Sequence, residues 1–195
     1  MPTRGRSSSA AGRRTALLLI DVINDMDFPG SETLVRLAEP MARRLRALKR
    51  RARAAGIPTI YINDNFGKWR SDFRATVEYC MKSGVPGHKV ATLLKPDRKD
   101  YFVLKPKQSA FYGTTLDTLL KDLKTKTLIL TGVAGDNCVL FSANDAYMRD
   151  LKLFIPSDCI ASETEAENQY ALQLMKKVVK ADIRPSPDLD LESLA

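Results

Sequence analysis

From Thr15 onward, short apolar runs alternate with longer amphipathic segments. The runs are TALLLID (15–21), PTIYIND (58–64), YFVLK (101–105), TLILTGV (127–133) and LFIPS (153–157). Each is nearly continuous in apolar residues, the pattern of parallel strands covered on both faces. A further short strand is expected near Ile183. Between the runs, Leu34, Leu37, Met41, Leu45, Leu48 and Ala52 recur at steps of three and four and predict one helical face. Pro40 is expected in the first turn of that helix's main segment, where its missing N–H does no harm. Gly56 stops the helix, with Pro58 beyond. Thr114 and Thr115 can cap a helix running to about Leu123. Residues 137–148 and 165–179 predict two more. Residues 72–82 read as helical, with Phe73, Val77, Tyr79 and Cys80 packing inward. SGVPGHK (83–89) reads as a turn or loop. Strands alternating with helices predict an α/β domain with a mostly parallel sheet and right-handed crossovers.

Composition narrows this picture. The 195 residues are 44% hydrophobic and 28% charged, an ordinary globular mix. At roughly 100–200 residues per domain, the length suits a single domain, taken as 15–195. Residues 1–14 lack large apolar side chains and are rich in Arg, Ser and Gly, so a disordered, untargeted basic tail is expected. No apolar run approaches the roughly 20 residues that span a bilayer, so no membrane role is expected. Three widely spaced cysteines, Cys80, Cys138 and Cys159, argue against a metal finger or a complete disulfide framework and for a reducing, cytoplasmic setting. A single histidine, His88, rules out a multi-histidine metal site. It reads as a surface loop residue.

The formal net charge of +8 invites a nucleic-acid reading. Eleven positive charges lie in two acid-free stretches, 1–14 and 41–53, so the remaining residues sum to −3. In the second stretch Arg43, Arg46, Lys49, Arg50 and Arg53 fall off the apolar stripe, where a solvated helix face is expected. No aromatic residues interleave them, so no specific nucleic-acid partner is expected, although nonspecific phosphate binding is an alternative.

In sheets of this class, ligands sit outside the carboxyl ends of the strands. The first run ends at Asp21, the third at Lys105, and the fourth leads through GVAGDNC to Cys138 at the start of a helix. A thiol at a helix N-terminus sits in a positive field that favours thiolate, and a nearby lysine adds to it. The alternative for Cys138, as for Cys80 and Cys159, is a small buried hydrophobe. Asp21 could equally cap a turn, and Lys105 could be a solvated strand-end lysine. Together, however, an acid, a lysine and a cysteine supply a nucleophile, a proton acceptor and a stabilising charge.

Three segments resemble the isochorismatase-like cysteine hydrolases, which include nicotinamidases and carbamoylsarcosine amidases. They are LLLIDVINDMDF (17–28), LKPKQSAFYGTTLDTLL (104–120) and TLILTGVAGDNCVLFSANDAYMRD (127–150). The resemblance implies a doubly wound sheet of six parallel strands with helices on both faces, and a Cys–Asp–Lys triad. The matching positions are Cys138 as nucleophile, Asp21 as proton acceptor and donor, and Lys105 as the charge that lowers the thiol pKa. Lys107 is the rival lysine, but Lys105 immediately precedes the proline of the family-like KPxxSAF pattern. The resemblance also implies a cis peptide at Val133–Ala134, which would aim the Ala134 N–H, with that of Cys138, at a developing oxyanion.

The implied activity is hydrolysis of a small-molecule C–N bond, amide or carbamoyl, through a thioester. The alternative is vinyl-ether hydrolysis of the isochorismatase type, whose members can lack the cysteine. The family's oligomeric habit implies a homo-oligomer. Metal-binding nicotinamidases carry an Asp–aromatic–His pattern after the second strand. Here that region reads NDNFGKWRSDF (63–73), which keeps Asp64 but has no histidine before His88. Neither a metal nor another cofactor is therefore expected. Phe28, Asn65, Phe66, Trp69 and Tyr112 follow strand ends and are expected to line the substrate pocket. Trp69 is the foremost of them, being the only tryptophan and lying in a polar loop.

Overall fold

The alternation of apolar runs and amphipathic segments becomes a six-stranded sheet in which every strand pair is parallel. The computed structural model describes residues 15–65 and 72–195. The tail 1–14, Phe66 and Trp69 lie outside the described residues. The strands are β1 (Thr15–Ile20), β2 (Thr59–Asp64), β3 (Tyr101–Lys105), β4 (Thr127–Val133), β5 (Lys152–Phe154) and β6 (Ile160–Ala161). Their order is β3-β2-β1-β4-β5, and β6 also pairs with β4, alongside Gly132 and Val133. The expected strand near Ile183 reduces to one bridge, Asp182 to Phe154. The sixth strand is instead β6, only two residues long.

Helices cover both faces. On one lie α1 (Ser31–Ala54), α2 (Phe73–Cys80), α3 (His88–Leu93) and the terminal turn α7 (Leu191–Leu194). On the other lie α4 (Leu116–Asp122), α5 (Leu140–Tyr147) and α6 (Glu165–Val178). Successive strand residues feed opposite cores: Leu17, Leu19 and Tyr61 face α1, whereas Leu18, Ile20, Ile60 and Ile62 face α5 and α6. This two-sided burial is why the runs read as continuously apolar.

The apolar stripe of α1 buries Leu34, Ala38, Met41, Leu45, Leu48 and Ala52. Pro40 lies inside this helix and not in its first turn. Its side chain is exposed, so water can satisfy the carbonyl that a proline N–H cannot serve. α6 opens with a capping box: Thr164 Oγ1 accepts from the Glu167 N–H (3.1 Å) and Glu167 accepts from the Thr164 N–H (3.1 Å). Thr115 is the cap residue before α4, but it is Thr114 Oγ1 that takes the Leu116 N–H (3.2 Å).

Three further expectations give way. Tyr79 of α2 is exposed, while Phe73 and Cys80 are buried. The stretch expected to be only loop enters α3 at His88, which is half-buried with Nδ1 2.6 Å from the Met81 carbonyl. Lys49 is not on a solvated face. It is 6% exposed and its Nζ meets Asp100 (2.7 Å), Tyr61 Oη (2.8 Å), Asp97 (3.1 Å) and the Lys95 carbonyl (3.2 Å). Its acids lie far along the chain, out of reach of a local pattern.

Candidate active site

The sheet order places the carboxyl ends of β3, β2, β1 and β4 side by side. Chain direction across the sheet reverses between β1 and β4, the position where such sheets open a crevice. Asp21 follows β1, Asp64 ends β2, Lys105 ends β3, and Cys138 sits in a π-helical turn (Gly135–Val139) between β4 and α5. β3 and β1 are separated by β2, at about 4.8 Å per strand. The lysine stem and the Asp21 side chain reach towards each other and together close that gap. Lys105 is fully buried, and its Nζ lies 2.8 Å from Asp21 Oδ2, 3.7 Å from Asp64 Oδ2 and 3.5 Å from Cys138 Sγ.

Asp21 is itself nearly buried and holds a left-handed backbone, φ 51°. That conformation turns the chain sharply off β1, and aspartate tolerates it better than most residues. Its Oδ1 accepts the Asp64 N–H (2.8 Å), and its carboxylate hydrogen-bonds Cys138. Burial pushes the Asp21 carboxyl above the usual range, against the pull of Lys105. Burial alone would lower the Lys105 pKa, but Asp21, Cys138 and Asp64 together raise it. The Cys138 thiol is pushed up to about 12, first by burial and then by the Asp21 charge, with Lys105 opposing. This corrects the expectation of a depressed thiol pKa. The carboxylate beside the sulfur and the loss of water outweigh the lysine, so the resting thiol keeps its proton.

Sequence reasoning missed the braces around this cluster. Ser142, fully buried on α5, donates to the Cys138 carbonyl (2.7 Å) and accepts the Ala110 N–H (2.9 Å). It thereby ties the turn that carries Cys138 to the segment that follows Lys105. On the other side, buried Ser162 accepts the Asp136 N–H (3.2 Å) and donates to Asn168 (3.1 Å). Gly135 packs directly on that pair, and a Cβ there would collide with Asn168. The loop after Asp21 is clasped likewise. Asn63 Nδ2 donates to the Ile23 carbonyl (2.7 Å), and the Gly87 N–H donates to the Asp25 carbonyl (2.7 Å). A Cβ on Gly87 would overlap the Asn24 carbonyl. The polar triplet Asn63-Asp64-Asn65, abruptly ending an apolar run, was the available signal.

The peptide between Val133 and Ala134 is cis. Asn65 is buried and its N–H donates to the Lys105 carbonyl (3.0 Å), which places it at the cluster's edge. Phe28 and Tyr112 are exposed on the loops after β1 and β3, and Lys107 is exposed. Among the described residues, no group of three or more His, Cys, Asp or Glu side chains is disposed to hold a metal ion, and none of the helices is long and apolar enough to cross a membrane. Cys80 and Cys159 are buried free thiols away from this cluster.

The chain is similar to known proteins. A model of the isochorismatase domain matches residues 15–183. The uncharacterized isochorismatase family protein YaaI of Bacillus subtilis (strain 168) is 44% identical over 168 residues, covering 86% of this chain and 92% of that protein. The pyrazinamidase/nicotinamidase of Streptococcus mutans UA159 superposes with a TM-score of 0.67 at 25% identity, over 87% of this chain and 99% of that one. N-carbamoylsarcosine amidase from Thermoplasma acidophilum superposes with a TM-score of 0.69 at 24% identity, over 91% and 99% of the two chains, a likeness of fold. With its sheet order, its strand-end cluster and a domain match that runs almost end to end, this chain belongs to the isochorismatase family of hydrolases.

Proposed function

We propose that the protein is a cysteine hydrolase that cleaves a C–N bond in a small amide or carbamoyl compound. The observation that carries this reading is the contact of Lys105 Nζ with both Asp21 and Cys138 Sγ at the carboxyl edge of the sheet. A thiol held near pKa 12 is not a standing thiolate, so it needs a base at the moment of attack. Asp21 suits that role, because burial has made its carboxylate a stronger proton acceptor than an ordinary aspartate.

Cys138 Sγ attacks the carbonyl carbon as its proton passes to Asp21, while Lys105 balances the negative charge on sulfur. The Ala134 and Cys138 N–H groups receive the oxyanion. When the tetrahedral intermediate collapses, the C–N bond breaks and Asp21 returns the proton to the departing nitrogen. Water then attacks the thioester and gives a proton to Asp21. The C–S bond breaks, the acid product leaves, and Asp21 reprotonates the thiol. Asn65, Phe28, Tyr112 and Trp69 are proposed to shape the pocket for the substrate, with the protein acting as a cytoplasmic homo-oligomer.

The second reading, vinyl-ether hydrolysis, does not need a thiol at this position, so the retained Cys138 beside a base favours the first. The test is a screen of small amides, ureido acids, N-carbamoyl compounds and isochorismate, reading ammonia and pyruvate release. Ammonia release that disappears in Cys138→Ala is the expected result. Pyruvate release that survives Cys138→Ala would replace this reading with the second.

A further inference from the structure

Arg43, Arg46, Arg50 and Arg53 follow one another along α1 at intervals of three, four and three residues. That spacing puts them on one helix face over about 15 Å, at about 1.5 Å of rise per residue. With Lys49 and Lys95 they line a cavity of about 510 Å³ beside α3, where Asp97 is the only acid among the described residues. The acids within reach are already engaged. Asp97 pairs with Arg53 and Lys49, Asp100 pairs with Lys49 (2.7 Å), and Glu39 pairs with Arg43 (2.7 Å). Among the described residues no carboxylate lies within ion-pair distance of Arg46, Arg50 or Lys95.

Like charges three and four residues apart work against the helix that carries them, so the row leaves an uncompensated positive field along the groove. Guanidinium groups match phosphate oxygens in geometry as well as charge. Among the described residues no aromatic ring lines the cavity to stack on a base. Its volume falls in the range of small-ligand pockets. We propose that this groove binds a short phosphate chain of the diphosphate or triphosphate class, with Arg46 and Arg50 as its main anchors. The groove lies at the amino-terminal edge of the sheet, where α1 leads through Gly56 into β2 and Asp97 leads towards β3. Its occupancy is therefore independent of the hydrolase reading and of Cys138.

The probe is inorganic tripolyphosphate, titrated calorimetrically into the full chain at low salt. Saturable binding at one site is expected, with orthophosphate weaker by about tenfold or more because it can meet only one or two guanidinium groups. The double variant Arg46→Glu/Arg50→Glu should weaken tripolyphosphate by about twentyfold or more, whereas Lys176→Glu/Lys177→Glu on α6 should change it by less than about twofold. These four side chains are exposed, and unchanged circular dichroism would confirm that the variants fold. ATP should bind within about threefold of tripolyphosphate if the chain alone is read, whereas a much stronger ATP signal would locate recognition in the nucleoside and overturn the proposal. Absence of saturable binding, or equal weakening by the α1 and α6 variants, would also overturn it. So would binding confined to a single-stranded oligonucleotide.

Discussion

Among the described residues two lysines are buried, each between two aspartates, at opposite edges of the same sheet. Lys49 is surrounded by oxygen: Asp97, Asp100, Tyr61 Oη and the Lys95 carbonyl all lie within 3.2 Å of its Nζ. Lys105 Nζ meets Asp21 at 2.8 Å, Cys138 Sγ at 3.5 Å and Asp64 at 3.7 Å. The first arrangement saturates the ammonium and has no reactive atom beside it. The second sets the ammonium against a sulfur at the open ends of the strands. Burial of an ion pair therefore does not mark a reaction centre; a nucleophile within reach of the buried cation does.

The largest expected effect separates these roles. Lys105→Ala and Cys138→Ala should each lower turnover of a substrate by about 10⁴-fold or more, as removal of members of a catalytic unit does. Lys49→Met should leave the Cys138 environment intact yet lower unfolding free energy by about 3–5 kcal/mol, because Asp100 then loses its close buried cation and keeps only Arg53, at 3.5 Å. Chemical denaturation and single-turnover assays on the three variants measure both quantities. A Lys49→Met protein as stable as wild type, or a Lys105→Ala protein that retains turnover, would break the contrast.

A smaller effect is expected at the brace. Ser142→Ala strands the Ala110 N–H and should cost about 1–3 kcal/mol, read from the denaturation midpoint. It should also lower kcat more than it raises KM, because the turn loses its tie to the Lys105 segment. Ser142→Thr keeps the hydroxyl and should recover most of the kcat loss. Equal changes in KM and kcat in the alanine variant would assign Ser142 to stability alone.

The alkaline limb gives the gentlest test. The folded pKa of Cys138 lies near 12, above its ordinary value of 9.0, so the unfolded chain loses this proton first as pH rises. The stability contribution is complete below pH 9 and drains away up to pH 12. Cys80, raised to about 11, behaves in the same direction over a narrower window. Unfolding free energy measured from pH 8 to 11 should fall less steeply in Cys138→Ala than in wild type. Parallel slopes would show that the thiol is not held in its neutral form.

Much of this was legible before any coordinates. Runs of five or more apolar residues announce buried parallel strands because both faces are covered, and the strand-end residues Asp21, Lys105 and Cys138 followed from that placement. What escaped is what depends on distant partners or very short segments. β6 has only two residues, too few to carry a period. α3 hides behind the glycines and proline of the preceding turn. Lys49 looks like a surface charge until Asp97 and Asp100 fold over it, and Ser142 and Ser162 reveal themselves only through the carbonyl and N–H groups they hold. The thiol pKa was misjudged because the sequence displays the lysine and the helix start but not the loss of water around the sulfur.

The central claim is that Asp21 acts as the base for Cys138, and alkylation tests it without knowledge of the substrate. Cys138 is half-buried, whereas Cys80 and Cys159 are 1% and 0% exposed, so iodoacetamide at neutral pH should modify Cys138 first. Asp21→Asn removes both a base and a negative charge, and the two roles have opposite consequences. If Asp21 accepts the thiol proton, the substitution should slow Cys138 alkylation by about 100-fold or more, the usual contribution of a general base. If Asp21 merely repels the thiolate, its removal lowers the thiol pKa, and alkylation as fast as wild type or faster would contradict the account.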